Sequence, residues 1–161
     1  MKPLVNLFHV GPQKSATTWL YHVMKTHPEI SLPPKDSIHY FDMGFSKDIT
    51  WLHDHFRDEG ARVFVDPTPS YIRDRDALKR IASYNADAKV VLTVRNPVER
   101  AFSHYWHEKK KRKIAFSFSE VLENYDLFDS WVLPGLNARS VGILREHFPA
   151  ENIHVVVFDD I

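Results

Sequence analysis

The chain has 161 residues, a length that suits one domain with a core of its own. Lysine plus arginine (21) equals aspartate plus glutamate (21), so bulk charge points to no polyanion such as nucleic acid, and any basic site must be local. The absence of cysteine excludes disulfides and thiolate metal sites, and 43% hydrophobic against 26% charged residues excludes a disordered chain.

In chain order, the apolar run from Leu4 to Val10 predicts a buried strand. A helix follows from Thr17 to Thr26, stopped by His27-Pro28. Ser31 to Ser37 carries Pro33-Pro34 and reads as a loop, and Ile49 to Arg57 has apolar residues at helical spacing. Arg62 to Val65 is a short strand that ends at Asp66-Pro67-Thr68-Pro69. A helix from Asp76 to Tyr84 places Leu78, Ile81 and Ala82 on one face, and Lys89 to Val94 is a second strong buried strand. Pro97 opens a helix running to about Lys113, where its missing N–H costs nothing. Ser119 to Asn124 and Ala138 to His147 look helical, and Ile153 to Phe158 is a last apolar strand. Strands alternating with helices predict a three-layer α/β domain over residues 1–161, with a central parallel sheet covered on both faces. No secretory signal and no run long enough to span a bilayer is legible, so a cytoplasmic location is expected.

Gly11-Pro12-Gln13-Lys14-Ser15-Ala16-Thr17-Thr18 stands between the first strand and the first helix. A loop there aims backbone N–H groups and a helix N-terminus at one point, which is an anion site. Lys14 adds a full charge, and Ser15, Thr17 and Thr18 add hydroxyls. The loop is not that of an ordinary nucleoside triphosphatase. Only two residues separate Gly11 from Lys14, and no glycine precedes the lysine. Those enzymes also use an aspartate from a second strand to hold magnesium, whereas Lys89 to Val94 ends in Arg95. An arginine binds another anion. Two anion sites at the carboxyl ends of two strands imply a ligand with two separate anionic groups, and no metal need be present.

Two motifs carry a resemblance. Lys14-Ser15-Ala16-Thr17-Thr18-Trp19-Leu20 resembles the 5′-phosphosulfate loop of sulfotransferases that use 3′-phosphoadenosine 5′-phosphosulfate (PAPS). Arg95-Asn96-Pro97-Val98-Glu99-Arg100-Ala101-Phe102-Ser103-His104-Tyr105 resembles that family's 3′-phosphate segment, in which an arginine and a serine eight residues later grip the phosphate. Weaker likeness runs through Ile38-His39-Tyr40-Phe41-Asp42, Asp66-Pro67-Thr68-Pro69-Ser70-Tyr71 and Phe148-Pro149, and the pattern is nearest to bacterial and glycan-type members. The resemblance implies a fold like that of the phosphate-loop hydrolases and PAPS as sulfuryl donor. It implies Lys14 at the bridging oxygen and the transferring group, and Ser15, Ala16, Thr17 and Thr18 around the 5′-phosphate. It also implies Arg95 and Ser103 on the 3′-phosphate, and no metal. Trp19 is expected either against adenine or in the core. The acceptor would be a small molecule or a glycan, through a hydroxyl or an amine. Members of the family also continue past the strand matching Ile153 to Phe158 with a basic loop over the donor, so the expected domain is one without that part.

Three departures or open points follow. The family has glycine where Ala16 stands, and alanine there is strained if its φ is positive. Glycan-type members carry a glutamate as general base where Ser37 stands, which leaves Asp36 and His39 as the expected bases and Asp66 as a third. Lys109 to Lys113 reads as a solvated helix end or as a docking patch for an anionic acceptor. His22, His27, His53 and His55 form no convincing metal set. Two rival readings are a metal-dependent nucleotide kinase on the same fold and a non-catalytic nucleotide- or sulfoglycan-binding module.

Overall fold

Five strands, β1 (Leu7–Gly11), β2 (Ile30–Ser31), β3 (Val63–Asp66), β4 (Lys89–Val94) and β5 (Ile153–Val157), pair side by side in a computed structural model that describes residues 4–57, 60–112 and 114–161. Every pairing is parallel and the order is β2-β3-β1-β4-β5. The helices between them are α1 (Thr17–Lys25), α2 (Ile49–His53), α3 (Arg75–Tyr84), α4 (Pro97–Arg112), α5 (Phe118–Glu123), α6 (Tyr125–Trp131) and α7 (Asn137–Arg145). They flank the sheet, as the α/β alternation predicts. Central strands buried on both faces need continuous apolar runs, and Phe8, Val10, Val90 and Leu92 meet Leu78 and Ile81 of α3 in the main core. Among the described residues, no helix is long and apolar enough to cross a membrane.

The chain leaves β1 toward β2 and β3 on one side, then returns to β4 on the other. The crevice outside the carboxyl ends of β1 and β4 is therefore the switch point of the sheet, where open α/β folds take their ligands. The loop after β1 carries Lys14 and the turn after β4 carries Arg95.

Local chemistry sets the ends of the elements. Asp74 accepts from the Ala77 N–H at 3.0 Å and starts α3 one residue before the expected helix. Asn96 Oδ1 accepts from the N–H groups of Val98 and Glu99 and caps α4, whose first residue is Pro97. The expected last residue of α4, Lys113, lies outside the described residues. Ser117 and Glu120 form a reciprocal capping box on α5.

Four expectations differ in detail. The first strand begins at Leu7 rather than at Leu4, which is exposed, although the backbone of Asn6 already bonds to Phe64 and Lys89 on either side. A two-residue strand, β2, precedes the proline loop. Helix α6 was not expected. Asn124 caps it by accepting from Leu127 N–H, and Trp131 buries its end against Tyr105 and Val121 in a second small core. β5 is the edge strand, and Val155 and Val157 leave one face of it exposed rather than covered.

Candidate active site

The β1–α1 loop is held in an unusual path. Gly11 has φ +108°, and a Cβ there would stand 2.0 Å from the Pro69 carbonyl oxygen, so only glycine fits. The ladder with β4 shifts register at this point, and the Gly11–Pro12 peptide is cis. Buried His9 donates through Nε2 to Thr93 Oγ1 at 3.2 Å, and the Thr93 hydroxyl donates to the Gly11 carbonyl at 3.3 Å. Burial holds the His9 imidazole neutral, with its pKa lowered to about 4.

Lys14 and Ala16 both take left-handed backbone, with φ +70° and +61°. Ala16 thus occupies a conformation that costs an L-residue about 1–2 kcal/mol, and it is the residue standing where the resembled family has glycine. Ala16 sits at the N-cap of α1 and gives no side-chain cap, so the first N–H groups of the helix stay open to a ligand. Ser15 Oγ is buried without a partner. A buried orphan hydroxyl beside free helix N–H groups is the signature of a site awaiting an acceptor of hydrogen bonds, which an anion supplies.

Arg95, at the end of β4, ties the second anion position to the first. Its guanidinium donates to the Lys14 carbonyl at 3.4 Å and to Glu99 at 3.3 Å, and lies 4.3 Å over the Phe158 ring. Its Nε is buried and unpartnered. Asn137 of α7 donates to the Arg95 carbonyl at 3.2 Å and holds the turn.

Lys14, Ala16, Thr17 and Thr18 line one cleft of about 660 Å³ together with Arg95 and Ser103. Ser15 lies buried in the same loop. Trp19 also lines the cleft and is 48% exposed, which answers the choice between core and cleft in favour of the cleft. The residues expected for a two-anion ligand are therefore brought together, in a space of the size that small ligands fill.

The two expected bases part company. Asp36 faces the cleft and accepts from Thr18 Oγ1 at 3.4 Å. His39 is not among the residues lining the cleft. Its Nδ1 is 3.0 Å from Asp42 Oδ2 and 3.3 Å from Ser70 Oγ, and its φ is +58°. The hydrogen bond to Asp42 holds the His39 pKa above the usual histidine value. Asp66, the third, is fully buried beneath both. It accepts from Thr68 Oγ1 at 2.6 Å and from Tyr71 Oη at 2.8 Å. Thr68 in turn accepts from the N–H groups of Ile38 and His39, and Tyr71 from that of Phe41. Asp66 is a hub that fixes the 36–42 loop, and burial pushes its pKa up to about 6.

Sequence reasoning missed three residues on one face of α4. Arg100, one turn beyond the α4 cap, is 1% exposed, donates to the Gln13 carbonyl at 3.1 Å and to the Trp131 carbonyl, and so clamps the lysine loop to the end of α6. Gly135 leaves room for it, since a Cβ there would lie 2.4 Å from Arg100 Nε. Four residues on, the His104 ring stacks on Trp131 at 5.2 Å and lines the cleft, its pKa lowered to about 3 by burial and by Arg100. His107, one turn further, reaches Lys14 across the cleft at 3.5 Å. The spacing 100, 104, 107 marks one helix face, but only the position of α4 beside the loop turns that face into a wall of the site.

Comparisons with known proteins identify the family. Residues 35–161 match the model of the Sulfotransferase family. The heparan sulfate glucosamine 3-O-sulfotransferase 3B1 of Mus musculus is 30% identical over 155 residues, covering 92% of this chain and 40% of the relative. The bifunctional heparan sulfate N-deacetylase/N-sulfotransferase 4 of Mus musculus is 32% identical over 125 residues, covering 70% of this chain and 14% of the relative. A crystal structure of a sulfotransferase from Alicyclobacillus acidocaldarius superposes with a TM-score of 0.81 at 27% identity, covering 97% of this chain and 74% of that one. The chain spans less than half the length of these curated relatives. On its motifs, its fold and these likenesses, the chain belongs to the sulfotransferase family.

Proposed function

We propose that the chain transfers a sulfuryl group from PAPS to a hydroxyl or amine of a glycan acceptor. The observation that carries this is the joining of two anion positions in one cleft, with the Arg95 guanidinium hydrogen-bonded to the Lys14 carbonyl. The buried, unpartnered Ser15 Oγ and Arg95 Nε fit a ligand with two phosphates. PAPS supplies the activated sulfuryl group. The open N–H groups of α1 with Ser15, Thr17 and Thr18 bind the 5′-phosphate, and Arg95 with Ser103 binds the 3′-phosphate. Lys14 meets the charge that develops on the departing phosphate oxygen, and Trp19 offers its exposed ring to the adenine. Of the two expected bases, Asp36 lines the cleft and His39 does not. The glycan class follows two relatives, one an O-sulfotransferase and one an N-sulfotransferase of heparan sulfate.

Calorimetry with 3′,5′-bisphosphoadenosine and with ADP, both without metal, tests the reading. The extra 3′-phosphate raises affinity in the parent, and Arg95→Ala erases that gain. Equal binding of the two nucleotides, or binding of ADP only with magnesium, contradicts it and favours the kinase.

A further inference from the structure

Taking the sulfuryl-transfer reading as its basis, we infer that His107 is a catalytic residue: its Nδ1 takes the proton of the acceptor, and Lys14 covers that nitrogen until the donor is bound. Lys14 Nζ lies 3.5 Å from His107 Nδ1. An ammonium has donors only, so Nδ1 must be the accepting, unprotonated nitrogen, and the ring proton sits on Nε2. The atom that a base needs is thus already bare of a proton and aimed at the one side chain that must stand beside the transferring group. His107 is exposed on α4 and lines the cleft with Lys14, so an acceptor hydroxyl reaches it from solvent. Asp36 contacts Thr18 instead, a residue of the phosphate loop.

The surroundings of His107 keep it neutral. Lys14 faces it from the β1–α1 loop, and Lys111 and Glu108 flank it on α4 with His104 one turn back. Burial first, then Lys14, lowers its pKa below the ordinary 6.5, while Glu108 opposes the shift. When a donor draws the Lys14 ammonium to its bridging oxygen, Nδ1 is uncovered. The acceptor oxygen then bonds to sulfur as the sulfur–oxygen bond to the 5′-phosphate breaks. The acceptor proton passes to His107 Nδ1, and the electron pair of the broken bond leaves on the bisphosphate beside Lys14. The order follows from the contact: donor first, base exposed second.

Two measurements test this. The first is release of 3′,5′-bisphosphate from PAPS with desulfated heparin as acceptor. His107→Ala should lower the rate about 10²- to 10⁴-fold, the usual contribution of a positioned acid–base group, and imidazole should restore part of it. The acidic limb of the parent's pH–rate profile should disappear in the variant. Bisphosphate affinity should stay at the parent's value, because His107 is not asked to hold the nucleotide. A variant as fast as the parent, or one that imidazole does not rescue, overturns the assignment and leaves the donor reading intact. The second follows the His107 ring by NMR, with no acceptor needed. Saturating 3′,5′-bisphosphate should move its titration to higher pH, as should Lys14→Ala without ligand. A midpoint unmoved by either overturns the covering contact. A parent that binds no bisphosphate overturns the donor reading itself, and the two failures are thereby told apart.

Discussion

Asp66 tests the frame under the site. Its carboxyl is fully buried and its pKa is raised by that burial from 3.8 to about 6, despite the hydrogen bonds from Thr68 and Tyr71. A carboxyl raised above its unfolded value binds its proton more tightly in the folded chain. The stability this contributes is complete below pH 3.8, declines as pH rises, and is gone above about 6. At about 1.4 kcal/mol per pH unit, the loss is about 3 kcal/mol. Asp66→Asn has no proton to lose, and its amide keeps one acceptor oxygen and presents an NH2 donor where the protonated acid presents its O–H. Urea unfolding of both proteins between pH 3.5 and 7 gives a difference curve, in which titrations common to both cancel. The parent's stability relative to the variant should fall by about 3 kcal/mol between pH 3.8 and about 6. A flat difference curve, or one that rises with pH, would refute a buried carboxyl at this hub.

Two further substitutions probe the loop. Ala16→Gly removes a Cβ from left-handed backbone, and glycine's greater freedom in the unfolded chain offsets part of the relief. A net gain of about 0.5–1 kcal/mol is expected in chemical denaturation, and a loss would show that the alanine methyl packs usefully. Lys14→Ala should lower transfer from PAPS by about 10²–10³ while leaving the fold and most bisphosphate affinity in place. Unchanged turnover would remove Lys14 from the transferring group.

Much of this was legible in the linear sequence, and the reasons are physical. The strands β1 and β4 are continuous apolar runs bounded by Gly11 and by Arg95-Asn96-Pro97, so both their burial and their ends were readable. Topology then brings the two strand ends to one crevice without further information. Helix α6 was illegible because seven residues with two aspartates and a serine make too short a pattern for a 3.6-residue period. The sequence states the strain at Ala16 only as a condition on φ, and the fold of the loop decides its sign. The burial of Arg100 was unreadable, since an arginine on a helix is ordinarily exposed and nothing nearby in sequence announces Gln13 or Trp131 as its partners. The meeting of Lys14 and His107 spans 93 residues, a distance over which spacing carries no signal.

The Arg100 clamp has a consequence for how the protein behaves with and without ligand. Its guanidinium meets carbonyl dipoles at Gln13 and Trp131, and it feels the positive fields of Arg73 and Arg95. Arg73 and Arg95 line the cleft with Lys14, opposed by Asp36 and Glu108, and Arg100 adds its charge from beneath, so like charges stand close together until an anion arrives. Dissolved ions screen such repulsion over a Debye length of about 8–10 Å near physiological strength. The same screening weakens the pull on a doubly phosphorylated ligand. Added salt therefore drives the two properties apart, firming the empty protein while loosening its hold on the nucleotide.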